Sequence, residues 1–208
     1  MTGTSATDSS RRGRRRERTR RQLLDAARQL IADHGVEGIR IHDLTSAADL
    51  GAGTFYIHFS SKDDLVAAVV TDAIDDVAHA AVGEAAAGDD PAVTIARASV
   101  RVVRLAFEQP ELARLLVNLI QADKLFGASV TPYARSLVET GVASGRFQVP
   151  DLDMALTALV GATVAVIREA LEGTYGAGIE VGFAEFALVS LGLGHDEARR
   201  ISAGQGHE

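Results

Sequence analysis

The chain has 208 residues, 47% of them hydrophobic, which is enough to bury a core in one domain or two small ones. It has no cysteine, so disulfides and thiolate metal sites are excluded and a reducing cytosol is the expected compartment; no apolar run reaches the roughly 18 residues of a membrane span. The net charge of −7 is unevenly spread: residues 1–21 hold eight arginines against Asp8 and Glu17, net +6, while residues 22–208 hold 13 basic and 26 acidic residues, net −13.

Residues 1–10 are rich in Thr and Ser and poor in large apolar side chains, so a disordered lead is expected. The run RRGRRRERTRR, Arg11–Arg21, follows. No apolar segment comes after it, which excludes a secretory signal. A charge run of this kind is either a solvated tail or an arm that meets the nucleic-acid backbone or minor groove, with Arg14, Arg15 and Arg16 as candidate contacts. Thr19 and Gln22 are spaced as a capping box, which predicts a helix start there. Leu23, Ala27, Leu30 and Ile31 give that helix one apolar face, and Gly35 is expected to end it.

Ile41, Leu44, Ala47 and Ala48 recur at helical spacing, which predicts a short helix over 42–48. Asp49-Leu50-Gly51 should break it, because Asp and Gly tolerate a left-handed backbone. A second short helix is expected over 52–58, with Phe55 and Phe59 on one side. Ser61 and Asp64 then fit a capping box at the head of a long helix that continues through Val66, Val70, Ala73, Ile74, Val77 and Ala81.

Two short helices joined by a tight turn are the plan of a DNA-reading helix-turn-helix. The string Gly53-Thr54-Phe55-Tyr56-x-His58-Phe59-x-x-Lys62 resembles the recognition-helix signature of the tetracycline-repressor family of bacterial regulators, and the resemblance runs from about Thr19 to Leu65. It implies that Thr54, Tyr56, His58 and Lys62 face DNA, with Tyr56 and Lys62 suited to phosphate and Thr54 and His58 to phosphate or a base edge. The sequence departs from the family at several positions. Arg40 stands where a Ser or Thr N-cap is usual, which loses a capping oxygen but adds a cation near the phosphates. Gly51 replaces the cap of the recognition helix, Ala52 a frequent Lys, and Thr45 a common Ala. The recognition helix is therefore poor in charge, and the arm, Arg40 and Lys62 are expected to carry much of the affinity.

Beyond Asp90, an N-cap followed by Pro91, residues 92–107 are apolar on most sides, as in a central buried helix. Pro110 opens the next helix, and another is expected over 129–144, closed by Gly145. Asp151 or Asp153 should cap a helix in which residues 154–167 are nearly all apolar, and residues 180–193 repeat the pattern up to Gly192 and Gly194. Helices apolar all round lie in a core or an interface. A chain this small has difficulty burying both, so a homodimer surface is expected there, and the family resemblance implies a four-helix dimer bundle. A short terminal helix is expected over 195–203.

Domains are accordingly expected at 1–16 (basic arm), 17–65 (helix-turn-helix) and 66–208 (helical ligand-binding and dimerisation domain), all-α throughout. The resemblance also implies a small-molecule cavity in the last of these. Arg97, Arg101 and Arg104 form a stripe on the central helix that is either a solvated face or, at Arg104, a contact for an anionic ligand. Asn118, Gln121, Tyr133 and Arg168 are further polar candidates in apolar helices. Asp75 and His79 lie four apart, but two ligands do not make a metal site. No catalytic motif, cofactor fingerprint or membrane partner is expected. The expected function is a ligand-responsive DNA-binding regulator that acts as a repressor, with an operator duplex and a small-molecule effector as partners. A helical ligand-binding or scaffold protein without DNA reading, or a small enzyme, stand as alternatives.

Overall fold

The computed structural model describes residues 5–82, 90–122 and 124–206, and these divide into two compact units, residues 1–70 and 71–208. Ten α-helices and no strand occur among the described residues.

The first unit holds α1 (Ser5–Gly38), α2 (Ile41–Ala47), α3 (Ala52–His58) and the start of α4 (Lys62–Val82). α1 differs from expectation. It starts at Ser5, so residues 5–16, expected as a disordered arm, form its first turns, and Thr19 caps nothing. The Thr19 hydroxyl donates instead to the Arg15 carbonyl, one turn back inside the helix, at 3.0 Å. The physical reason is local: Arg is a strong helix former, and no proline precedes Pro91 to stop the chain from winding. Gly35 does interrupt the helix, at φ 69°, as its freedom from a Cβ allows.

The buried side chains of this unit come from all four helices: Leu23, Ala27 and Ile31 of α1, Leu44 of α2, Phe55 of α3, and Leu65 and Val69 of α4. Each is almost or wholly inaccessible, and burying an aromatic or branched aliphatic of this size contributes about 1.5–3 kcal/mol. α2 packs against both α1 and α3.

The second unit contains α5 (Pro91–Glu108), α6 (Pro110–Ala122), α7 (Lys124–Ala143), α8 (Leu152–Leu171), α9 (Ile179–Ser190) and α10 (His195–Gln205). α5 is its centre and packs against α6, α7, α8, α9 and α10. Its buried stripe includes Ala92, Ile95, Ala96, Val100, Val103 and Ala106. The core continues through Val138, Phe147, Leu156, Ala184, Leu188 and Leu191.

The corners of this unit are set by sequence. Asp90 accepts from the Ala92 N–H at 2.9 Å, with Pro91 at the first helical position. Asp151, not Asp153, caps α8 by accepting from the Met154 N–H at 2.8 Å. After α7, Gly145 takes φ 73° and the Arg146 N–H reaches back to the Gly141 carbonyl at 2.8 Å, a Schellman closure. The same closure recurs after α9, where Gly192 has φ 97° and the Leu193 N–H bonds the Leu188 carbonyl at 3.1 Å. Gly194, expected to help end α9, instead opens α10 as its N-cap.

Arg146 ties three corners together. It grips Asp90 with two nitrogens, each at 2.9 Å, and also reaches Glu197 of α10 at 2.9 Å. The arginine's hydrogen bonds hold the Asp90 carboxyl below the usual carboxylate range.

α8 corrects one expectation. At 20 residues it has the length and apolarity of a bilayer span, yet only 17% of its most apolar stretch is buried in the protomer. Asp153 and Arg168, at its two ends, break up any longer apolar run in the sequence.

Candidate nucleic-acid interface

The reading unit is built from α2, a four-residue turn (48–51) and α3. α2 starts at Arg40, whose side chain makes no capping bond and is exposed, as the missing Ser or Thr implies. Thr45 satisfies its own hydroxyl within the helix: it is buried and donates to the Ile41 and His42 carbonyls, each at 3.1 Å. Asp49 adopts φ 53° to end the helix, and the Leu50 N–H returns to the Thr45 carbonyl at 2.8 Å. Gly51 is then extended and supplies only its carbonyl to α3, accepting from the Thr54 N–H at 2.8 Å.

Phe55 is fully buried and stacks toward Phe59, with ring centroids 5.9 Å apart; this pair anchors α3 to the unit. The opposite side faces solvent. Tyr56 is 63% exposed, with its ring edge-on to Phe55 at 5.2 Å, and Ile57 is 61% exposed. Thr54 and His58 lie between these two faces, half-buried. The structure thus presents Tyr56 outward as expected and sets Thr54 and His58 on the flanks. Ile57 was not a sequence candidate, because a lone Ile among Phe, Tyr and Phe reads as core.

Two basic side chains of α1, Arg16 and Arg20, meet the end of α3. Arg14, Arg15 and Arg16 are exposed. Arg16 also donates from Nη2 to the Ile57 carbonyl at 3.3 Å, and the Arg20 guanidinium lies 5.2 Å from the centre of the Phe59 ring. Partial burial, then the charges of Arg16 and Arg20, push the His58 imidazole below its ordinary 6.5 against the opposing pull of Glu17. This favours the neutral imidazole, which offers one donor and one acceptor rather than a cation.

Lys62 also differs from a freely presented cation. Its Nζ donates to the Ile39 carbonyl at 3.3 Å, from the first residue of α4 to the link before α2. The capping of α4 is shared between two serines. Ser61 Oγ accepts from the Asp64 N–H at 3.1 Å, and the Asp64 carboxylate takes the Ser60 N–H at 2.9 Å.

The candidate ligand contacts fall out differently. Arg104 is half-buried and pairs with Glu180 of α9, Nε to Oε1 3.7 Å, while its Nη2 donates to the Gly206 carbonyl at 3.4 Å. That joins α5 to α9 and α10 and makes the guanidinium a packing tie. Arg168 is exposed beside Glu169 at 3.5 Å. Asn118 is half-buried on α6; the side chains of Gln121 and Tyr133 lie outside the described residues. No group of three potential metal ligands occurs among the described residues; the His79 side chain lies outside them.

Comparison with known proteins agrees with this geometry. Residues 23–69 match the pattern of bacterial regulatory proteins of the tetR family, and residues 90–204 match a tetracyclin repressor-like C-terminal domain. The solved structure of RolR in complex with resorcinol is 30% identical, covers 92% of this chain and 96% of that one, and superposes with a TM-score of 0.62. RolR without ligand is 31% identical, covers 88% and 95%, and gives 0.67. A TetR family regulator from Marinobacter aquaeolei VT8, at 22% identity, shares the fold with a TM-score of 0.71 over 86% of this chain and 97% of that one. Among curated proteins, the transcriptional repressor KstR2 of Rhodococcus jostii is 34% identical over 77 residues, 37% of this chain; the match spans only 36% of that relative's length. With a DNA-binding pattern matched over residues 23–69 and a C-terminal pattern over 90–204, the chain belongs to the TetR family of bacterial regulators.

Proposed function

We propose that this protein is a repressor that holds an operator duplex as a homodimer and lets go when a small molecule binds its C-terminal helices. The observation that carries the reading is α3 itself: one aromatic face locks it into the unit, and the opposite face, led by Tyr56, is left open to a major groove. Exposed Arg14 and Arg15 of α1, together with Arg40, supply phosphate contacts beside it. Arg16, Thr54, His58 and Lys62 stand at the edge of this surface, where each reaches the backbone or a base only by loosening an existing contact or from a half-buried position. The cytosol, where the genome lies, is the matching compartment.

The second copy belongs on α8 and α9. Few residues of α8 are fully buried in the protomer, and Met154 and, from α9, Phe186 are prominently exposed. Operator binding by such a dimer calls for two copies of α3 roughly 34–36 Å apart, one helical turn of DNA, or a multiple of that. The effector acts by population shift: it prefers a state with a different spacing and draws the protein from DNA. RolR, which is solved with resorcinol, supports a small molecule of similar size as the effector here. Asn118, Gln121, Tyr133 and Arg168 remain candidates to line its site; Arg104 is better placed to hold that region together.

The test is to pass a random duplex library over the protein, sequence what it retains, and then add resorcinol and other small phenols to the complex. An enriched palindrome whose binding is reversed by one of these compounds is expected. A retained pool as random as the input would refute operator binding.

A further inference from the structure

α3 has little polar chemistry to offer a base pair. Four of its residues face outward: Ala52, Gly53, Tyr56 and Ile57. Of these only Tyr56 has a hydrogen-bonding side chain. Ile57, at 61% exposure, is the bulkiest apolar group on the surface that the reading above gives to DNA. Isolated exposed apolar residues are common, so exposure alone says nothing. Its setting adds more. An isoleucine in a helix is held close to a single χ1 rotamer, so this side chain is presented stiffly. Its backbone carbonyl is tied by the Arg16 guanidinium at 3.3 Å, which holds the end of α3 against α1. A Cβ placed on Gly53, one turn earlier, would meet nothing within 4 Å, so among the described residues nothing packs against that position of the face.

We propose that Ile57 reads the operator by packing against the 5-methyl group of a thymine in the major groove, and that this apolar contact is the main source of base preference in each half-site. The thymine methyl is the apolar group that the base edges present there, and it is what a stiff branched aliphatic can recognise. The half-buried His58 and Thr54 then refine a register that Ile57 sets. This inference rests on the operator-binding reading above.

The experiment starts from an operator recovered by selection and replaces its thymines one at a time with deoxyuridine. That change removes the methyl and keeps every hydrogen-bonding group. One position per half-site is expected to weaken wild-type binding about fourfold, the equivalent of about 0.8 kcal/mol for one buried methyl-sized group. Ile57→Ala should be indifferent to deoxyuridine at that same position, whereas Ile57→Val should retain part of the sensitivity. Because Ile57 is largely exposed, both variants should keep wild-type helicity, checked by circular dichroism. If wild type and Ile57→Ala respond alike at every thymine of an enriched operator, the proposal is overturned while operator binding stands. If no sequence is enriched at all, operator binding fails and takes this proposal with it.

Discussion

Replacing Arg104 with alanine separates two roles for the same side chain. In the structure its guanidinium lies 3.7 Å from Glu180 Oε1, with the two side chains only 18% and 10% exposed. Glu180 keeps one other donor, the Gly178 N–H, on Oε2 at 2.8 Å. Alanine would leave a buried carboxylate with half its partners and orphan the Gly206 carbonyl. Breaking a buried ion pair from one side costs about 3–5 kcal/mol where both charges are fully enclosed. This pair is long and its carboxylate stays partly bonded, so about 2–3 kcal/mol is expected, a large share of a typical stability of about 5–15 kcal/mol. Removing both charges, as in Arg104→Met with Glu180→Met, should lie within about 1 kcal/mol of wild type, because no lone charge remains. The assay is denaturant unfolding followed by far-UV circular dichroism for the four members of this double-mutant cycle, at one protein concentration. A single variant that unfolds within about 0.5 kcal/mol of wild type, the range of ordinary surface changes, would refute the argument. If such a variant also lost its response to an effector, Arg104 would be a ligand contact after all.

Other expectations test separate parts of the molecule. Gly141→Ala drives a Cβ into the Phe147 ring inside the core, so thermal unfolding should report a loss of about 1–3 kcal/mol or more from overpacking. The Asp90 carboxyl is held below its ordinary 3.8 by Arg146, so the clamp stabilises the fold fully above that value and loses its effect as pH falls through the lower, folded-state value. Arg146→Met should therefore melt below wild type at neutral pH, with the gap closing in acid; a gap independent of pH would assign the loss to packing alone. Phe186→Glu should shift the protein to monomer, or unfold it, in sedimentation at micromolar concentration, and an unchanged dimer would move the interface elsewhere. Deleting residues 1–15 should lower the slope of log affinity against log salt by about 4–5 if two or three arginines of each protomer meet phosphates; an unchanged slope would make that stretch a solvated helix.

Some of this was legible in the sequence because single residues dictate single geometries. Asp90-Pro91 could only open a helix, and Gly35, Gly145 and Gly192 each take the positive φ that ends one. The turn at Asp49 and the inward pair Phe55 and Phe59 follow from the same local logic. The face of α3 was harder to read. It has seven residues, and Phe55, Tyr56 and Ile57 are consecutive large groups, so periodicity could not fix which way each points; packing against the rest of the unit decides it. The beginning of α1 was missed because the Thr19 hydroxyl has two uses, as a cap or as a donor to the preceding turn, and spacing does not choose between them. Arg104 and Arg146 were illegible for a different reason. Their partners, Glu180 and Gly206 for one and Asp90 and Glu197 for the other, are far away in the chain and meet only when α5, α9 and α10 come together.

In the dimer proposed above, the incompletely buried flank of α8 makes the amount of protein a variable of its own folding. A second copy that covers this flank stabilises the folded chain, and that gain grows with the logarithm of concentration. When the regulator is abundant, its chains shelter one another. When it is scarce, each spends longer alone, with Met154 and Phe186 open to chaperones and proteases. A fall in synthesis would then be amplified by faster clearance, so that occupancy of DNA ends more sharply than dilution alone would end it.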